Sequence, residues 1–499
     1  MTDAALLLAF PFVPLFAAGA ALAARTVARR DWSAPAVAAS HALQTAIGLA
    51  LIARFYRSSG EVRFPVSAWP YAIEFAFEHS RAHFLAAYLV PLLFSLARLR
   101  QLPSFHLRLL FLLYLGGCSG LLVTGDIFNF FVFYELMIMA AYVLVAARRK
   151  FYASVKYMLF GAASSSFLLG GIVLFYATGA DLGFPFAAEF YAAPAAHQAW
   201  ILVLFGTAFL VKSAFFPAYS WVATCHAATA PVVSAFLGSF TVFTGIFGLH
   251  QRVLRPAASL GLASVFDWLE VLSLLTMALP SAAIFFERDF KRCIAGSTVV
   301  TIGFVGLMLS RGWVEPALLY VAFHALYKSL LFHLTDDLRI EGTTVAGRPA
   351  ALAALGVGVW MASGFYPALI WFLKYNVMDA SPALRAVSLA SSALVAGGFL
   401  KFRYVRSAGA PGSGLPAGGL FVLLLAFALF PFYRPAAGWK IALDLGALAA
   451  TVAAAARLRR RADGWPGLGG FRLFANLNAE LLAPLLLFVS GLAFVLARL

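Results

Sequence analysis

A chain of 499 residues that is 63% hydrophobic and only 12% charged, with a mean hydropathy of +0.88, is not a soluble globular domain, since those run near 45 to 50% apolar and about 25% charged. Its formal charge of +16 does not point to nucleic acid, because the cations sit singly or in threes between apolar spans, the positive-inside pattern of membrane loops. Cys118, Cys225 and Cys293 lie far apart with no CxxC and no histidine cluster, so no metal and no cofactor is expected.

At about 20 residues per span, the length predicts an all-α polytopic membrane protein of about 14 to 16 transmembrane helices. Residues 1–105 hold the first of them. The span at 3–24 has no basic region ahead of it and reads as a helix rather than a signal peptide. Residues 55–81 alternate polar and apolar around Pro65 and Pro70, which predicts a short outside hairpin. Spans follow near 106–124, 127–147, 152–177, 200–228 and 231–249, then near 267–286, 291–310, 314–335, 350–378 and 383–402. A C-terminal group within 415–499 has spans near 415–433, 438–456 and 480–498. Cations recur on alternate loops, from Arg25, Arg29 and Arg30 through Arg98, Arg100 and Arg108 and Arg148, Arg149 and Lys150 to Arg457 and Arg461. That alternation predicts an even number of helices with both termini outside.

Two spans are too long and carry helix breakers. LVKSAFFPAYSW places Pro217 just after Lys212, and SGFYPALIWFLK places Gly364 and Pro367 before Lys374. Proline removes a backbone hydrogen bond and clashes with the preceding turn, and lipid tolerates the break only where protein or water covers it. Interruptions in corresponding positions point to two inverted repeats, 106–249 and 267–402, around a midplane site.

The apolar spans also contain charge. Glu135 sits near the middle of GDIFNFFVFYELMIMAAYVLVAARRK, where a lone carboxylate costs roughly 2 to 3 kcal/mol or more unless paired. Of the eight lysines, Lys156, Lys212, Lys328 and Lys374 fall within spans and need partners or water. Lys156 is close enough to the helix end to snorkel. Lys212 and Lys374 adjoin the two breaks. Lys328 follows His324 by one turn on the same face, with His333 further on; an imidazole near a buried amine suits a proton relay. His226 stands at the exit of the first broken helix, where it either lines an access path or caps the bend. Asp126 is expected to cap a helix, and the role of Asp444 is open. An ion pair of Glu135 with Lys212 would let that lysine hold or release a proton as the pair closes or opens.

GDIFNFFVFYELMIMAAYVL resembles the GD-FN-FVFFE helix of the antiporter-like subunits shared by respiratory complex I (the L-, M- and N-type chains of NADH-quinone oxidoreductase) and the Mrp-type multisubunit cation/proton antiporters, most of all the D-type component of the latter. The resemblance continues through KYMLFGAASS, LVKSAFFPAYSWVATCHAATAPVVSA, RDFKRCIAGSTVVTIGFVGLML, FHALYKSLLFH and SGFYPALIWFLK, and covers about residues 80–405. It implies two inverted five-helix repeats, each with a broken helix, and a midplane row of charges. Glu135 looks like the family's fifth-helix glutamate and Lys212 like the lysine of its broken seventh helix. His324 and Lys328 look like the eleventh-helix pair, and Lys374 like the lysine of the broken twelfth.

Where the family commonly has a lysine or histidine in its eighth helix, this chain has Phe243. A water chain past Ser239, Thr241 and Thr244 would there lack a protonatable group. The resemblance implies proton translocation along Glu135, Lys212, His324, Lys328 and Lys374, with Lys156, His226 and His333 as further candidates. The chain would be a transporter without catalytic chemistry of its own, in the bacterial inner membrane. Its partners would be other membrane subunits, lipid, protons, and Na+ or another monovalent cation. The alternative is a non-pumping anchor or coupling subunit of a hydrogenase, formate-oxidising or inorganic-carbon uptake complex. The tail with RLRRRADGWPGLGGFRLFANLNAE departs from the family pattern and is a candidate for a partner-specific contact.

Overall fold

A computed structural model of the chain describes residues 3–55, 62–65, 74–96, 98–179, 188–365, 368–407, 438–460 and 477–496. The expected span at 415–433, most of the tail after Arg460, and Pro70 and Pro367 lie outside them. The protein is an all-α polytopic integral membrane protein, in which eleven described helices are long and apolar enough to cross a bilayer. In chain order the helices are α1 (Asp3–Thr26), α2 (Ser33–Phe55), α3 (His79–Leu96), α4 (Phe105–Val123), α5 (Ile127–Ala146) and α6 (Phe151–Ala177). A short turn of helix, Ala188–Ala192, then leads to α7 (Ala195–Lys212) and α8 (Ser220–Ala228). After these come α9 (Pro231–Ser259), α10 (Ala263–Phe286), α11 (Phe290–Ser310) and α12 (Val314–Leu334). The last group is α13 (Pro349–Ser363), α14 (Leu369–Leu373), α15 (Tyr375–Ala380), α16 (Pro382–Leu400), α17 (Gly438–Arg460) and α18 (Leu477–Leu496).

Helix starts follow local chemistry. Asp126 caps α5 by accepting from the Asn129 amide at 2.6 Å, and Asp289 and Ser381 do the same for α11 and α16. Both expected breaks are present. α7 stops at Lys212 and the chain resumes as α8, passing through Ala214 at φ 58, a left-handed conformation that favours glycine. α13 ends on Gly364 at φ 68, the usual left-handed helix terminator.

α9 departs from expectation. It does not stop near residue 249 but continues to Ser259 through two π-helical stretches, Leu237–Thr241 and His250–Leu254. The polar run that ends the apolar signal is satisfied from outside the helix. Gln251 donates to Glu78 and to Ser80 (3.0 Å), and Arg255 reaches Glu78 at 3.4 Å. Glu78 follows β2 (Glu74–Phe77), which pairs antiparallel with β1 (Val62–Pro65) and bridges to Thr124 through Phe75.

A second sheet has no local sequence signal. β3 (Arg339–Glu341) and β4 (Thr344–Gly347) form a hairpin, and β5 (Arg403–Arg406) adds to β4 in parallel. Beside it, Arg98 is not an exposed loop cation. It is fully buried, donates to Asp337, and meets Asp336 at 3.1 Å, tying the end of α3 to the end of α12.

Candidate functional site

Glu135 is half-buried on α5 and accepts from the Ser165 hydroxyl of α6. One residue earlier, Tyr134 shares a hydrogen bond with Ser164, which donates to the Ala208 carbonyl of α7 at 2.8 Å. Lys212, the last residue of α7, is 3% exposed. Its amine donates to the Tyr157 hydroxyl at 3.2 Å and stands 5.2 Å from the ring centroids of both Tyr134 and Tyr157. The break explains the position, because the carbonyl end of an interrupted helix favours a cation, and the tyrosine faces add cation–π attraction. A cavity of about 10 Å³ lies against Lys212, Tyr157 and Trp221.

The expected ion pair is not formed. Glu135 and Lys212 each hold a neutral hydroxyl instead. Lys156 is 3% exposed and so does not snorkel; it reaches Thr224 of α8 at 3.5 Å.

At the centre, His324 and Lys328 of α12 face α9 and α11. His324 Nε2 lies 3.1 Å from the Gly238 carbonyl and Nδ1 lies 2.8 Å from the Tyr327 hydroxyl. A carbonyl only accepts, so in the neutral ring Nε2 carries the hydrogen and Nδ1 accepts from Tyr327. Gly238 has no room for a side chain, since a Cβ there would meet Phe332 at 2.6 Å and His226 at 3.1 Å. Lys328 donates to the Ile294 carbonyl at 2.6 Å and to Ser297. Phe243 is fully buried with its ring edge-on to His324, centroids 4.8 Å apart. Of the hydroxyls expected to bridge this region, Ser239 meets Ser329 of α12 at 3.1 Å and Thr241 pairs with Tyr114. Thr244 returns to its own helix, to the Thr241 carbonyl at 2.7 Å.

His226 and His333 are fully buried and stacked, on Phe332 and Phe94 respectively. Among the described residues neither ring has a hydrogen-bond partner on either nitrogen, so His226 does not cap the bend. A buried imidazole in that state calls for water.

Lys374, between α14 and α15, is 2% exposed. Its amine lies 3.4 Å from Ser392 of α16 and 3.9 Å from the Phe304 ring centroid. A Cβ on Gly364 would sit 2.6 Å from that amine, so the glycine both ends α13 and leaves room for the charge. Sequence reasoning left Asp444 open. It is 1% exposed on α17. The signal that singles it out is a carboxylate within an apolar span.

The family described as NADH:quinone oxidoreductase/Mrp antiporter, TM, matches residues 124–399, more than half of the chain. The chain belongs to that family. The N-type component of the NADH-quinone oxidoreductase of Desulforudis audaxviator is 28% identical over 340 residues, covering 62% of this chain and 65% of that protein. The M-type component from Pseudomonas aeruginosa is 30% identical over 293 residues, 55% of each chain. The D-type component of the Na(+)/H(+) antiporter of Alkalihalophilus pseudofirmus is 25% identical over 305 residues, 59% of this chain and 57% of its own. The chain thus spans between about half and two thirds of these relatives.

The fold matches a chain of the Mrp complex from Dietzia sp. DQ12-45-1b with a TM-score of 0.74 at 20% identity, covering 96% of this chain and all of that one. A chain of the archaeal membrane-bound sulfane sulfur reductase gives 0.75, also at 20% identity, covering 91% and 99%. Within the antiporter family match lie both broken helices and Glu135, Lys156, Lys212, His226, His324, Lys328, His333 and Lys374. Lys440 and Asp444 lie beyond it.

Proposed function

We propose that the chain is a proton-translocating membrane subunit of a multisubunit complex, of the Mrp-type antiporter or ion-pumping oxidoreductase kind, passing protons along the buried row from Glu135 to Lys374. One observation carries this reading: the two helix breaks each present a buried lysine, Lys212 at the end of α7 and Lys374 at the start of α15, both held by a neutral hydroxyl. An amine held by neutral groups can exist in either protonation state, and the approach or neutralisation of a carboxylate decides which. A proton taken by Glu135 removes the negative charge that favours the ammonium at Lys212, and the lysine then releases its proton toward the centre. There the imidazole of His324 stands against Phe243, bringing a protonatable group from α12 to the place where α9 has none.

The same reading assigns 106–249 and 267–402 to two repeats, each containing one break, and places the protein in a bacterial cytoplasmic membrane with both ends outside. The alternating, exposed Arg29, Arg30, Arg148, Arg149 and Arg403 support that placement. Lys212→Ala and Glu135→Ala, in membrane vesicles containing the complex, are expected to abolish proton-coupled transport while the subunit persists; normal transport in both sinks the reading. A second reading, a non-pumping coupling subunit, draws on the apolar side chain at Phe243. Phe243→Lys separates the two, since a relay deficient at this position gains transport and an intact path through His324 does not.

A further inference from the structure

We propose that Asp444 is the terminal proton acceptor of the buried row, receiving from Lys374, and that the Lys440–Asp379 ion pair positions it. This rests on the relay reading above and extends it to a helix outside the family match. Lys440 and Asp444 are one turn apart on α17 and share a face. Lys440 is paired with Asp379, the residue before the end of α15, and Lys374 caps the start of that same short helix. Moving from Asp379 to Lys374 descends about 7.5 Å, and from Lys440 to Asp444 about 6 Å, at 1.5 Å per helical residue. The clasp therefore sets Asp444 level with the Lys374 amine. Packing agrees, because α16, which supplies Ser392 to Lys374, lies directly against α17, where a Cβ on Gly397 would be 3.6 Å from Thr451.

Among the described residues, the contacts of the amine leave the role to Asp444. Phe304 and Ser392 cannot ionise, Gly364 offers backbone, and the Tyr320 ring of α12 is 6.0 Å away. Asp444 is buried to 1% exposure, whereas Asp379 is about half-exposed at the end of the same couple. The transfer balances: the Lys374 ammonium gives its proton to the Asp444 carboxylate, leaving a neutral amine and a neutral acid. The acid then releases the proton to water on the Asp379 side, and the amine is reloaded from Lys328.

The test uses membranes containing the assembled complex, with Lys212→Ala as reference. Asp444→Asn is expected to lower proton-coupled transport at least about tenfold, and Asp444→Glu to restore it. Lys440→Met, which leaves the acid but removes the clasp, is expected to give an intermediate loss. If Asp444→Asn impairs folding, thermal stability decides. In a Lys374→Met background the Asn substitution is expected to cost nothing further, because the coupled partner is already gone. Wild-type transport in Asp444→Asn, or equal loss in the Asn and Glu variants, overturns the role of Asp444 while Lys212→Ala still reports on the relay. Additive stability effects of Lys374→Met and Asp444→Asn overturn it as well. Normal transport in both Lys212→Ala and Glu135→Ala overturns the relay itself.

Discussion

Phe243 and His324 meet ring to edge, 4.8 Å between centroids and 63° between planes, where α9 packs on α12. The apolar side chain of Phe243 in α9 is thereby met by an imidazole from α12. His324→Ala is expected to remove proton-coupled transport and, by taking the side-chain donor from the Gly238 carbonyl and leaving the Tyr327 hydroxyl with Thr301 in place of the imidazole, to destabilise the protein by about 1 to 3 kcal/mol. Phe243→Leu is expected to retain transport. Vesicle acidification together with the abundance of the chain in the membrane checks both.

The two breaks respond oppositely to small changes. Gly364→Ala forces a side chain into φ 68 and against the Lys374 amine, with an expected cost of about 1 to 3 kcal/mol and impaired transport. Ala214→Gly relieves a left-handed alanine at φ 58 and is expected to stabilise by about 1 kcal/mol. Thermal aggregation midpoints of the purified complex would show the opposite signs.

Arg98 is a buried guanidinium paired with Asp337 and Asp336. Removing it by Arg98→Ala leaves carboxylate charge without its partner, an expected loss of about 3 to 5 kcal/mol. The double replacement Arg98→Met with Asp337→Leu is expected to cost less than either single change. Denaturation midpoints of the three variants test this.

Glu78 lies outside the membrane helices. Burial alone would raise its carboxyl, but the Arg81 and Arg255 charges, with hydrogen bonds from Ser80 and Gln251, hold it below its ordinary value of 4.5. A carboxyl depressed in the folded state contributes stability above the unfolded value, and that contribution is lost as pH falls through the folded one. The wild-type thermal midpoint should therefore decline on the acid side of the ordinary carboxylate range, and Glu78→Gln should flatten that decline. An identical pH profile in the variant would assign the decline elsewhere.

Much of the fold was legible in the order of residues because its causes are local. Apolar runs of bilayer length, the Asp126 cap, Gly364 before Lys374 and Pro217 after Lys212 each act within a few residues of themselves, so helices and breaks fell where expected. The end of α9 did not. His250, Gln251 and Arg252 look like a loop, and the distant Glu78 and Ser80, which hold Gln251, favour the continued helix. The family was legible for the same reason, since its motifs are short and lie on single helices.

Partners were not legible, because which side chain meets which is set by the rotation and crossing of helices far apart in sequence. The sequence alone places Glu135, Lys212 and Lys374 in the membrane and demands that something hold them. Only the tertiary structure decides that Ser165 and Tyr157 stand where an ion pair was expected, that the His324 ring meets Phe243, and that Asp444, on a helix beyond the family match, is buried. The cost of burying charge is a property of each residue, whereas its relief depends on neighbours that only packing supplies.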